Sequence, residues 1–525
     1  MDKIIADYIV RAGGAEIERI AREIAFEQTV EVPETLITSD AILENIVGQV
    51  VNIQPADDTA SRFRVSIAFN AELANGQISQ LLNLLFGNIS IKNNIKLVDV
   101  TLPPSFVRRF RGPNFGISGV RQLCGVFDRP LLSTAIKPRG ASHEAFARIA
   151  HDFALGGGDI VKDDHNLVDS DFEAFKSRVS RCQAAVQEAN RTTGRNTLYF
   201  PYVLSPQDRL ESYLDFVLSV GIRGVLLSPF LIGLDTVRTL AEAYPLVIMA
   251  HPTFTGTFFH DPDHGVTPGV LLGKLFRLIG CDISVFPNYG GRFSFTKEDC
   301  RTIQQHLQEP LGHLSPGLPA PAGGMRFENL AQMAEQYGPD AVFLIGGALL
   351  GDSDSLQSST EKFLDAITSL FPGHRHQNGD DSWQSACELP ASGTAEVLTH
   401  LPFQKDYSWA GRPASDYKSS QALPFQGVKR HELIGQHGER TRFDLRYFEI
   451  APRGYSSLEK HIHTHAIICI RGKGELQING EVIELKPFDI AYVPPLAVHQ
   501  LRNHEQEPFG FFCIVDHDRD RPMKP

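Results

Sequence analysis

Cysteine is sparse. The 525 residues hold seven, scattered as Cys124, Cys182, Cys281, Cys300, Cys387, Cys469 and Cys513. The count is odd and no CxxC pair occurs, which argues against a disulfide framework and for reduced thiols in the cytoplasm. No run reaches about 18 uninterrupted apolar residues, so no membrane span is expected. The opening segment MDKIIADYIVRAGGAEIERIAREIAFEQ carries acidic residues early and no apolar stretch with a small-residue cleavage site, so it is not a secretory leader. Positive charge is also short: 50 Lys and Arg against 62 Asp and Glu give a net charge of −12. That balance argues against nucleic acid or an anionic membrane as a partner. It leaves room for a locally basic site that takes an anionic small molecule.

What is present is too long for one hydrophobic core. Residues 1–120 mix helix and strand: AEIERIAREIAFEQ and NGQISQLLNLLFGN have helical spacing, and RFRVSIAFN alternates like a strand. Residues 121–371 change pattern. Short β-rich runs recur with helical stretches such as SHEAFARIAHDFALGG and ENLAQMAEQYG between them. The runs are LLSTAIKP, GDIVKDD, TLYFPYVLS, RGVLLSP, LVIMAHP, CDISVFPNYGG, LSPGLPAPAGG and AVFLIGGALLG; the seventh is proline-rich and weak as a strand. Eight strands alternating with helices imply a parallel sheet closed into a (β/α)8 barrel. Residues 372–425 lose periodicity and are expected to be a linker. Residues 426–525 carry short strands separated by turns, which fits a small all-β barrel.

Catalytic groups of such a barrel sit at the C-terminal ends of its strands. The polar residues fall there: Lys137 after the first, Lys162, Asp163, Asp164 and His165 at the second, and His251 after the fifth. Asn288, Gly290, Gly291 and Arg292 follow the sixth, Gly323 and Gly324 the seventh, and Gly346 and Gly347 the eighth. A desolvated lysine beside another cation becomes a base near neutral pH. Two acidic oxygens near Lys162 would hold Mg2+. Paired glycines after the last strands expose N–H groups for a phosphate. The commonplace readings of each motif alone are a solvated strand end and a turn; their shared placement at one end favours function.

Five motifs in order, IKPRG, GGGDIVKDDH, PNYGGRFSF, AGGM and LIGGALLG, resemble the large chain of ribulose-bisphosphate carboxylase, and more closely its RuBisCO-like, type IV relatives. The resemblance implies an α+β domain before the barrel, a homodimer or higher homo-oligomer with shared sites, and Mg2+ held partly by a carbamylated lysine. Carried over by motif, Lys162 is the carbamylation candidate, Asp164 a metal ligand and Lys137 the enolisation base, with phosphate at Gly323, Gly324, Gly346 and Gly347. Glu27 and Asn88 match the contributions from the partner subunit. Three departures argue against CO2 fixation. His165 replaces a carboxylate ligand, Arg139 stands at the second lysine of KPK, and Arg292 stands at the mobile-loop lysine. Arg and Lys are not interchangeable at such places, and Mg2+ prefers oxygen to imidazole.

In the last segment Glu459, His461, His463 and His465 alternate, which on a strand puts all four on one face, and His499 follows PPLAV. Four imidazoles suit Mn, Fe, Ni, Cu or Zn better than Mg. The segments RYFEIAPRGYSSLEKHIHTHAIICIRGKG and VIELKPFDIAYVPPLAVHQLRN resemble the two motifs of a cupin. That resemblance implies His461 and His499 as ligands, with Glu459 and His465 in exchanged positions and His463 as an extra candidate. An enolising barrel joined to a metal cupin points to methylthio-sugar salvage. There the barrel would isomerise 5-methylthioribulose 1-phosphate and the cupin would remove the methylthio group. The alternatives are a 3-oxo-isoapionate-4-phosphate decarboxylase or transcarboxylase-hydrolase of sugar-acid breakdown, and a sugar-phosphate sensor or structural protein.

Overall fold

The structure is a computed structural model that describes residues 2–58, 61–351, 355–372, 401–417, 424–435, 443–461 and 463–516. Much of the expected linker and the last nine residues, 517–525, lie outside the described residues. The chain divides into two compact units, Met1–Ser382 and Trp383–Pro525. Among the described residues, no helix is long and apolar enough to cross a membrane.

The first unit opens on a five-stranded sheet. Strand Lys3–Arg11 pairs antiparallel with both Arg62–Asn70 and Ile95–Thr101, and Gln49–Pro55 forms one edge. Its burial alternates residue by residue, as a sheet with one covered face requires. The cover is helices Ile17–Glu27 and Ile78–Phe86, where the spacing placed them. The other edge strand, Gly265–Val266, comes from far along the chain. The small sheet is therefore stitched into the barrel segment, and Lys274 Nζ adds an ion pair to Asp99 at 2.8 Å.

Eight parallel strands follow: Leu131–Ile136, Ile160–Asp163, Leu198–Phe200, Gly224–Leu227, Val247–Ala250, Ile283–Pro287, Leu318–Ala322 and Val342–Leu344. The ring closes between the third and fourth through a bridge of Tyr202 with Leu226. The proline-rich seventh run is a strand after all. It pairs at five positions with the sixth but at one, Ala322 with Leu344, with the eighth. Pro319 and Pro321 lack N–H groups, and the remaining donors serve the sixth strand, as Leu318 N–H to the Asp282 carbonyl shows at 2.8 Å.

Side chains alternate between two cores. Leu131, Ile160, Val247, Met249, Ile283 and Val285 fill the barrel interior, over a floor of Val120 and Cys124 from helix Gly116–Cys124. Leu132, Val161, Ile248 and Ala250 pack outward against the helices. Period two then sends Lys162 inward and Asp163 outward. Asp163 is fully buried against Arg178 of helix Phe172–Thr193 and accepts from Tyr199 Oη at 2.8 Å and from the Tyr202 N–H at 2.9 Å. Asp163→Ala leaves Arg178 to Asp169 alone, at 2.8 Å, and strips the buried Tyr199 hydroxyl and Tyr202 N–H of an acceptor, so it is expected to cost about 2–4 kcal/mol in urea unfolding. A loss below about 1 kcal/mol would show that Asp163 is no anchor.

Among the described residues, the second unit holds an antiparallel barrel of nine strands, the longest being Gln426–Ile434, Phe443–Tyr455 and Phe509–Asp516, beside the short pair Phe403–Gln404 and Ser408–Trp409. Part of the expected linker belongs to it. Trp409 packs its ring 5.0 Å from that of Tyr447, and Tyr417, 8% exposed, joins the core. The reason is aromatic burial, which an aperiodic stretch does not announce.

Candidate metal and enolisation sites

At the barrel mouth the strand ends and the turn after Asp163 gather Lys137, Lys162, Asp164, His165 and His251. Lys162 is 3% exposed and donates from Nζ to the Asp163 carbonyl at 3.0 Å. Burial pulls its ammonium down to about 8; Asp164 opposes the shift and Lys137 adds to it. Lys137 Nζ lies 3.1 Å from Asp164 Oδ2. Burial works to raise the Asp164 carboxyl, but the Asn166 N–H and Lys137 outweigh it and hold it below the usual range. The His165 and His251 rings stack with centroids 4.1 Å apart. Burial lowers both imidazoles, His251 furthest, with Lys162 as a second cause there. Both are therefore neutral at pH 7. His251 Nδ1 sits 2.5 Å from Thr253 Oγ1, a partner that the sequence gave no reason to single out.

Two expectations change. Only one carboxylate of KDDH faces the mouth, because Asp163 is spent on Arg178. Asn288 is not turned to a substrate either: its amide donates to Met333 Sδ at 2.9 Å and accepts from Tyr337 Oη at 2.7 Å. It shapes the wall from within.

The glycines divide by role. Gly290, Gly323 and Gly324 have positive φ, and a Cβ on Gly324 would come within 2.9 Å of the Gly291 backbone, so the two turns pack main chain on main chain. A Cβ at Gly323, Gly346 or Gly347 would meet nothing within 4 Å, so these three face open space. Arg292 stacks on Phe293 at 4.9 Å, and its charge also depresses His165. Arg139 is exposed. Glu27 and Asn88 come together on the N-terminal sheet domain, Asn88 Nδ2 donating to Glu27 Oε1 at 3.2 Å, with Lys92 3.8 Å from the same carboxylate.

Among the described residues, three-donor clusters tight enough for a metal occur only in the second unit. They are Glu459 with His461 and His499, and His461 with His463 and His465, each with ligand atoms within 4.8 Å of one another. The residues do not lie on one strand as expected. The regular strand begins only at His465, and Glu459 is tied by an isolated bridge to His499. The chain bends, and the bend stacks the His461 ring 3.7 Å from His463 and 4.3 Å from His465. His461 Nδ1 bonds the His463 carbonyl at 2.7 Å, and His499 Nδ1 bonds that of Ala497 at 2.9 Å. Such bonds fix tautomer and ring orientation and leave Nε2 as the ligand atom. Ser457 Oγ donates to Glu459 Oε2 at 2.5 Å and meets Tyr417 Oη at 3.0 Å. Burial, then His461 and His499, holds His465 far below the usual imidazole range. This donor set fits a transition ion. A cavity of about 190 Å³ opens beside it.

The ribulose bisphosphate carboxylase large chain, catalytic domain, matches residues 116–389. The chain belongs to that family. Residues 446–515 match the cupin domain. Within the family the similarity is to RuBisCO-like proteins. Ribulose bisphosphate carboxylase-like protein 1 of Rhodopseudomonas palustris is 40% identical over 70% of this chain and 98% of its own length. The 5-methylthioribulose-1-phosphate isomerase of Rhodospirillum rubrum is 38% identical over 70% of this chain and 96% of its own. The crystal structure of a Rubisco-like protein from Rhodopseudomonas palustris superposes with a TM-score of 0.63 at 36% identity, covering 70% of this chain and 98% of that one.

Proposed function

We propose that the RuBisCO-like barrel moves a proton between neighbouring carbons of a phosphorylated ketose such as 5-methylthioribulose 1-phosphate. The observation that carries this reading is the mouth cluster: two amines, one carboxylate and two neutral stacked imidazoles at one set of strand ends. The 38% identical isomerase supports the substrate class. Lys137 is the base toward the carbon next to the ketone. Its Nζ is held 3.1 Å from Asp164 Oδ2, an ion pair that opens when Asp164 is engaged elsewhere and frees the amine to reach substrate. Asp164 and a carbamate on Lys162 would hold Mg2+, with His165 beside them, and the bound ion would polarise the ketone and steady an enediolate. His165 and His251, neutral and in contact, hold or pass a proton at the enediolate oxygens. The glycine pairs after the seventh and eighth strands receive the phosphate, with Arg139 and Arg292 adding positive charge.

CO2 fixation is not part of this reading, since Arg292 and His165 replace the groups that carboxylation needs. The cupin takes a following step, removal of the methylthio group, with Mn2+, Fe2+ or Zn2+ at Glu459, His461, His465 and His499. The assembly is a cytoplasmic homodimer in which Glu27 and Asn88 reach the partner's mouth. The test is proton NMR of 5-methylthioribulose 1-phosphate in deuterated water with the full chain, Mg2+ and bicarbonate. Enzyme-dependent loss of a C–H signal next to the ketone is the expected result. A spectrum unchanged by enzyme sinks the reading.

A further inference from the structure

The cupin cavity contains a cation that the metal donors do not account for. Arg446 lies on strand Phe443–Tyr455, opposite Cys513 in register, and is 8% exposed. Its guanidinium lines the cavity together with Glu459, His463, His465 and His499. The protein groups that meet it are weak partners for a charge. Nη2 reaches the Cys513 sulfur at 3.6 Å, the planar group lies 5.2 Å from the Phe448 ring centre, and the buried Nε has no hydrogen-bond partner. Among the described residues, no carboxylate stands within ion-pairing distance of it.

Neighbouring charges are otherwise engaged. Arg430, also on the cavity wall, is paired with Glu432 at 3.2 Å and donates to the Tyr417 carbonyl at 3.3 Å. Asp444 is buried two residues along the same inward face, where it packs against the Gly435 turn. Glu459 accepts from Ser457 and belongs to a metal donor set. A largely buried guanidinium without an anion is costly: its Nε–H has left water without a partner, and its other donors meet only a sulfur, a ring face and the cavity. It is tolerable where a ligand supplies the anion, and the planar fork suits a carboxylate or a phosphate.

We propose that Arg446 is the anion-binding subsite of the cupin, so that the cavity takes a small molecule with one phosphate or carboxylate group at Arg446 and another donor at the histidine cluster. The claim concerns the cupin alone and does not depend on what the barrel enolises.

The test uses the full chain loaded with Mn2+ and two probes, inorganic phosphate and acetate, in calorimetric titrations. Wild type is compared with Arg446→Met and Arg446→Lys, so binding at the barrel is common to all three and cancels. The expected result is one anion equivalent fewer in Arg446→Met, for phosphate or for acetate or both, and affinity reduced about tenfold or more in Arg446→Lys. The probe that shows the difference identifies the anion class. With no anion added, the cupin melting temperature of Arg446→Met should equal or exceed that of wild type, since an uncompensated buried charge is gone. Identical stoichiometry and affinity for both anions in wild type and Arg446→Lys overturns the proposal, and so does a lower melting temperature of Arg446→Met in a protein whose wild type binds neither probe at this site. If Arg446→Met does not fold, the Arg446→Lys comparison decides alone.

Discussion

Lys162→Met is expected to lower deuterium exchange into the substrate by about 10²–10⁴-fold, the usual worth of a positioned acid–base or metal-anchoring group. The same residue sets a pH dependence. Carbamylation consumes the neutral amine. With the ammonium lowered to about 8, roughly a tenth of Lys162 is neutral at pH 7, against about one part in 3,000 for a lysine at its ordinary 10.5. Activation by bicarbonate with Mg2+ should therefore climb as pH rises through about 8 and level off above it. Stability runs in the matching direction. The folded value lies below the unfolded one, so between about 8 and 10.5 the unfolded chain binds more protons and folding is favoured by raising the pH. Below 8 the buried charge is a full cost, and the methionine variant should melt no lower than wild type at pH 7. Activity lost without unfolding is the decisive pattern. Bicarbonate activation that is flat across pH 7 to 9 would remove Lys162 from the carbamate role.

His461→Ala is expected to remove one equivalent of transition metal per chain, weakening binding by about 100-fold or more. His461 is shared by both donor clusters and is 1% exposed, so its loss takes a ligand from each. A bound ion also stabilises whatever binds it, by an amount that grows with the ratio of ion to Kd. The cupin melting transition of wild type should thus fall on chelation, while that of His461→Ala should not respond. His463→Ala separates the clusters: if Glu459, His461 and His499 are the core of the set, its metal content stays near that of wild type. Full metal retention by His461→Ala, measured by elemental analysis of the full chain, would sink the assignment.

Much of this was legible in the chain. Seven of the eight barrel runs announce themselves as strands because buried parallel strands need continuous apolar stretches. The seventh hides because a strand that spends its donors on one neighbour can carry proline at alternate positions. The mouth residues Lys162, Asp164 and His251 follow from strand-end placement. Adjacency in sequence masks the different directions of Asp163 and Asp164; the alternation of Ile160 and Val161 between the two cores is the signal that separates them. The outward amide of Asn288 depends on Tyr337 and Met333, 45 and more residues away, which no local pattern encodes. In the cupin the histidine row reads as one face of a strand, and the structure brings the same residues together in another way. The residues converge through a bend, not along a pleated strand. Arg446 was concealed because both faces of FDLRYFEIAP carry apolar residues.

The thin pairing of the seventh strand with the eighth has a counterpart across the ring, where the third and fourth strands share a single bridge. The barrel is therefore two arcs of four strands, each continuous within itself and joined edge to edge by little backbone bonding. Lys137, Lys162, Asp164 and Gly346 ride on one arc; His251, Gly290 and Gly323 ride on the other. The stacked pair of His165 and His251 is a clasp across the gap. A ligand held at both glycine turns and at the lysines would be a second clasp, so the molecule that fills the mouth also completes the wall around it.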